Sequence, residues 1–225
     1  MHIQCCKYIL GVNRKCSNLA AIAEIGRYPK LIQIVINILK YWIRIRNMDE
    51  ESLVYKSFVE NIKLLNNGHY CWLKTIQDIF NTLDICKKDN TPILDPENIP
   101  ISQKEFIEIC KTSLERRFDE QLKFDLFDDR DTQKGNKLRT FRQFKCKIRQ
   151  ENYLCTIHNV NLRKNITKLR LSAHNLPIET GRYKRPVKIP PNLRLCEECN
   201  MNLVGDEFHI IMKCDKYRIL RKDFF

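Results

Sequence analysis

Between Pro29 and Asn47, polar residues fall at Lys30, Gln33, Asn37, Lys40 and Arg44, and most of the remaining positions are apolar. Steps of three and four draw one narrow polar stripe along a helix, so this helix is expected to bury most of its circumference. Its isoleucines would also suit a strand, but strict alternation is absent. Pro29 fits the first turn of such a helix. A second helix is expected over residues 49–67, with Val54, Phe58, Ile62 and Leu65 on one face and Asn67-Gly68 as its stop. A third over residues 70–86 turns Leu73, Ile76, Phe80 and Leu83 inward. Pro92, Pro96 and Pro100 predict a loop. Ser102 with Glu105 then forms a capping box that opens a helix running to about Phe127.

The pattern changes after Asp128-Asp129-Arg130-Asp131. Residues 133–137, Gln-Lys-Gly-Asn-Lys, read as a linker or a sharp turn. Leu138, Phe141, Phe144 and Ile148 predict another helix, interleaved with Arg139, Arg142, Lys145, Lys147 and Arg149. A further helical stretch, residues 162–172, carries Arg163, Lys164, Lys168 and Arg170. Residues 177–191 hold four prolines and a glycine, so an irregular, exposed course is expected.

Charge sharpens this division. Residues 1–132 carry 19 basic and 19 acidic side chains, whereas residues 133–225 carry 21 basic and 8 acidic ones, the whole +13 excess. A neutral helical region followed by a basic one suggests a scaffold with a polyanion-binding segment, against the plainer reading of a merely soluble basic surface. Arg182, Tyr183, Lys184, Arg185 and Lys188 on the proline-rich course are the binding residues expected from this pattern. Cations there can neutralise phosphates and the ring can stack a base, although a solvated loop would look the same.

The sharpest chemical signal is Cys196-x2-Cys199-x9-His209-x4-Cys214. Three thiols and one imidazole within 19 residues complete a tetrahedral structural zinc site and leave no open catalytic position. The alternative is a set of cysteines buried as small hydrophobes. The other cysteines, Cys5, Cys6, Cys16, Cys71, Cys86, Cys110, Cys146 and Cys155, have no ligand spacing, and most of them read as buried free thiols. His2, His69, His158 and His174 are likewise isolated. An odd total of 11 cysteines argues against a paired secreted framework. The most apolar stretch, residues 31–45, is too short and too polar to span a bilayer. With no secretion signal, the sequon at Asn165 carries no meaning and an intracellular setting, nucleus or cytoplasm, is expected.

The run from Leu169 to Tyr183, Leu-Arg-Leu-Ser-Ala-His-Asn-Leu-Pro-Ile-Glu-Thr-Gly-Arg-Tyr, resembles a stretch near the end of non-LTR, LINE-type (jockey-like) retrotransposon reverse transcriptases. In that family it precedes a Cys-x2-Cys, Glu-x-His, Cys element, matched here by Cys196, Cys199, Glu207, His209 and Cys214. The run Tyr217-Arg218-Ile219-Leu220-Arg221 fits as well. Upstream, residues 7–12 with Ser17-Asn18 and residues 24–29 resemble the region that follows the polymerase palm. The resemblance covers both ends of the chain and is weak over residues 85–135.

Polymerase chemistry requires paired carboxylates on a palm hairpin that hold two metal ions. The nearest string, Leu126-Phe127-Asp128-Asp129, lacks the leading aromatic of the family motif and ends a predicted helix, so it reads as a charged terminus. With 11 residues after Cys214, no nuclease domain is expected, and no phosphate-cradling glycine loop is present. The expectation is a mainly α protein: a helical-bundle scaffold, then a zinc-knuckle-like element at about residues 196–214. Its expected role is non-enzymatic binding of RNA or DNA, with no small-molecule substrate. The rival readings are a zinc-stapled protein-interaction module and a functionless genomic relic.

Overall fold

Two separate cores organise the chain. One belongs to Pro29–Phe118, the other to Met1–Tyr28 together with Asp119–Phe225. The structure, a computed structural model, describes residues 2–83, 102–131, 135–145 and 147–223. Among these the fold is helical, with one isolated antiparallel bridge and no longer strand. Among the described residues no helix is long and apolar enough to cross a membrane.

The continuous unit contains α3 (Lys30–Arg46), α4 (Leu53–Asn66), α5 (Trp72–Thr82) and the first part of α6 (Gln103–Phe127). Pro29 stands at the N-cap of α3. Trp42 lies edge-on to Phe80 at 5.2 Å, and Phe80 to Phe106 at 6.1 Å. Leu39, Ile76 and Cys110 fill the space around these rings. α3 buries Ile36, Leu39, Trp42, Ile43 and Ile45, a narrower face than its polar stripe predicts. Leu31, Ile34 and Tyr41, each one step beyond a stripe residue, are exposed. α4 begins at Leu53 rather than residue 49, because the Ser52 hydroxyl accepts the Tyr55 N–H and fixes the N-cap there. α5 ends at Thr82. Residues 84–86 of the expected helix, with Pro92, Pro96 and Pro100, lie outside the described residues. α6 starts with the Glu105 N–H on the Ser102 hydroxyl and ends at Phe127, both as expected.

The discontinuous unit contains α1 (His2–Leu10), α2 (Asn18–Ile25), the end of α6, α7 (Phe141–Phe144), α8 (Tyr153–Thr156), α9 (Val160–Arg170), α10 (Pro177–Thr180) and α11 (Arg218–Lys222). Its apolar core joins Leu10, Ala20, Ala21, Leu126, Phe141 and Leu171. α2 ends at Gly26, φ +74°, where a Cβ would lie 1.9 Å from the Gln150 nitrogen, so only glycine fits. Beside this core, fully buried Glu24 accepts hydrogen bonds from Arg170 (2.6 Å) and the Tyr153 hydroxyl (2.7 Å).

Other expectations need correction. The helix expected through Leu138, Phe141, Phe144 and Ile148 is the single turn α7. The chain leaves the helix at Lys145, whose buried ammonium bonds the Arg149 carbonyl and Glu151 (2.6 Å), a geometry a continuing helix could not supply. The proline-rich course begins as short helix: α10 and a 3-10 turn, Gly181–Tyr183, precede the irregular residues 184–190. The charge boundary after residue 132 also differs from the boundaries of the two units. By unit, the discontinuous one holds 27 basic and 15 acidic side chains, net +12. The continuous one holds 13 and 12, net +1.

Candidate metal centre

Two local devices bring the four ligands together. The first is a short ribbon in which Leu195 bridges Val204, the Cys196 N–H donates to the Leu203 carbonyl (2.8 Å) and the Gly205 N–H to the Arg194 carbonyl (2.9 Å). Cys196 and Cys199 sit on its turn, where the Glu198 N–H points at the Cys196 sulfur (3.4 Å). Gly205 closes the ribbon, and a Cβ there would stand 2.8 Å from Pro177 and 3.0 Å from the Cys196 Cα. The second device is a π turn, His209–Lys213. Residues five apart on an α-helix sit about 140° out of register. The wider i to i+5 loop, closed by the Cys214 N–H on the His209 carbonyl (2.7 Å), removes most of that offset. Asp206 fixes its start by accepting the His209 N–H (2.7 Å).

The four donor atoms of Cys196, Cys199, His209 and Cys214 lie within 4.8 Å of one another and can hold one metal ion. Cys196 and Cys214 sulfurs are 3.9 Å apart, and the Cys199 sulfur is 3.3 Å from His209 Nε2. Cys196, His209 and Cys214 are buried; Cys199 is half-buried. The Met201 N–H lowers the Cys199 thiol, while burial raises that of Cys214. Among the described residues no other group of three or more His, Cys, Asp or Glu has ligand geometry.

An ionic layer ties the centre to the rest of its unit. Buried Glu207 accepts from His174 Nε2 (2.6 Å), Arg139 (2.7 Å) and the Ser172 hydroxyl (3.3 Å). Burial alone would raise its carboxyl, but His174 and Arg139 outweigh that and hold it at about 2. Arg139 also reaches Glu179 (2.6 Å). His174, isolated in sequence, therefore belongs to the support of the centre. The Glu-x-His spacing of 207 and 209 was its only local signal.

The expected binding residues divide. Lys184, Arg185 and Lys188 are exposed. Arg182 is buried: it bonds Glu179 through two nitrogens (3.1 Å each) and the Gly135 carbonyl (2.8 Å), so it serves the interior rather than a phosphate. Tyr183 is 48% exposed, but one face carries the Lys15 ammonium, 4.6 Å from the ring centroid. That face is closed to a stacking base. Beside the metal centre, Phe144, Leu169, Phe208, Ile211 and Met212 line a cavity of about 560 Å³ that periodicity did not reveal. Asp128 and Asp129 follow the end of α6 and pair with Arg130 (2.7 Å) and Arg142 (2.8 Å).

Compared with family models, curated proteins and solved structures, the chain gives no match.

Proposed function

We propose that this chain is a zinc-stapled nucleic-acid-binding module, equivalent to the post-polymerase region of a LINE-type reverse transcriptase. The convergence of Cys196, Cys199, His209 and Cys214 carries the reading. Tetrahedral zinc with sulfur at ~2.3 Å and nitrogen at ~2.0 Å requires donor separations of about 3.5–3.8 Å. The 3.9 Å and 3.3 Å separations here bracket that range. Four protein donors make the zinc structural, and the +12 unit around it supplies counterion-release affinity for RNA or DNA. By the sequence resemblance, the module would hold template or target while a separate palm does the chemistry.

Elemental analysis is expected to give about one zinc per chain. Unchanged metal content in a Cys196→Ser, Cys199→Ser double variant would overturn the site. Fluorescence anisotropy is expected to show affinity for oligonucleotides falling steeply with salt. Primer extension by the purified chain with Mg²⁺ or Mn²⁺ would overturn the non-catalytic reading. The apolar cavity beside the centre favours one rival, a protein-docking module, whose binding would be nearly independent of salt.

A further inference from the structure

Lys15 and Lys137, 122 residues apart, meet at Tyr183. Lys15 Nζ sits 4.6 Å from the ring centroid and Lys137 Nζ 6.0 Å from it. Lys137 also donates to the Tyr183 hydroxyl (3.4 Å) and to the carbonyl of Lys15 itself (2.8 Å). The loop that presents Lys15 is pinned from beneath, because the buried Lys7 ammonium bonds the carbonyls of Arg14 and Cys16 on either side. With Asn13, His174 and Thr180, these groups line a cleft of about 190 Å³.

Nothing within the described residues neutralises the pair. Among the described residues no carboxylate lies within ion-pair distance of Lys15 or Lys137, unlike Lys56, Lys63, Lys74, Lys111 and Lys145. Glu179 borders the cleft, but its oxygens are engaged by Arg139 and Arg182. His174 accepts the Leu176 N–H on Nδ1 and faces Glu207 with Nε2, so it adds no competing anion. Two ammonium groups on one ring repel each other, and a bridging anion relieves the repulsion. The cleft is smaller than the usual small-molecule pocket, which suits a single compact anionic group.

We propose that Lys15 and Lys137 form a phosphate-binding cleft for a nucleic-acid backbone, walled by Tyr183, with exposed Lys184 and Arg185 next along the chain. The assignment rests on the nucleic-acid reading above and adds a contact from the first 28 residues, which the charge pattern placed in the neutral half.

The test compares the full chain, a Lys15→Gln, Lys137→Gln variant and a Lys15→Arg, Lys137→Arg variant. Each is titrated into labelled single-stranded RNA and duplex DNA across a salt series. Loss of two phosphate contacts should flatten the slope of log affinity against log salt by about 1.4 for the single strand and about 1.8 for the duplex. The arginine variant should keep the parental slope, and zinc content should be unchanged in both. If the double glutamine variant misfolds, Lys15→Gln alone should give about half the change. A parental slope in folded glutamine variants overturns the cleft while leaving the nucleic-acid reading intact. Loss confined to RNA or to DNA overturns the backbone assignment, since phosphate is common to both. Absent or salt-independent binding by the parent overturns the nucleic-acid reading instead.

Discussion

The two cores solve the same problem with different chemistry. Pro29–Phe118 packs Trp42, Phe80 and Phe106 with aliphatic side chains and carries almost no net charge. In the discontinuous unit, Glu24, Lys145, Glu179, Arg182 and Glu207 are buried among far fewer aromatics. All ten buried polar residues among the described ones belong to it. An apolar core is fixed by volume and tolerates repacking. A core of buried ions is fixed by pairing, so each member depends on its partner being present. The unit with the candidate metal site is the one that adds buried ion pairs to its apolar core.

Removing the metal tests this contrast hardest. Structural zinc contributes about 10–16 kcal/mol of apparent binding energy in small zinc elements near neutral pH. Chelation, or Cys196→Ser with Cys199→Ser, should therefore unfold the ribbon and π turn. Both tryptophans, Trp42 and Trp72, lie in the continuous unit. Their emission should stay native while circular dichroism reports lost helix. A tryptophan shift on chelation would break the comparison.

The converse experiment is Phe80→Ala, a cavity in the aromatic cluster, expected to cost about 4 kcal/mol. Denaturation followed by tryptophan emission should show the loss, with metal content unchanged from the parent. Glu24→Gln is expected to cost about 3 kcal/mol, because Arg170 and Tyr153 lose the charge they were built around. Thermal unfolding followed by circular dichroism should show it, again with the tryptophan signal spared.

The smallest expected effect is chemical rather than energetic. At pH ~8, alkylation of the native metal-loaded protein should modify the exposed Cys5 and Cys155. Burial pushes the Cys110 thiol up to about 11, so it stays protonated and unlabelled until the pH approaches that value or the core opens. Chelation should add Cys196, Cys199 and Cys214 to the labelled set, as peptide mass mapping would show. Protection of these three without metal would count against the site.

Much of this was legible in order along the chain. The Ser102 cap, the end of α6 and the metal quartet all depend on residues within one or two dozen positions, the range over which spacing speaks. Arg182 misled because a cation three residues after Glu179 looks the same in sequence whether the pair faces water or the interior. α7 stopped early for a reason beyond local propensity, the bond from Lys145 to Glu151. The meeting of Lys15 with Lys137 and of Glu24 with Arg170 spans more than a hundred residues, and no periodicity announces it.

The discontinuity of the second unit has a consequence for how the molecule is made. Emerging from the ribosome, α1 and α2 wait without their partners while all of Pro29–Phe118 is synthesised. During that interval the continuous unit can close its own core. Ala20, Ala21 and Leu10 meanwhile stay uncovered, and Glu24 has no counterion until Arg170 is translated. The order of translation thus lets the unit with the candidate metal site assemble only after Pro29–Phe118 has been made.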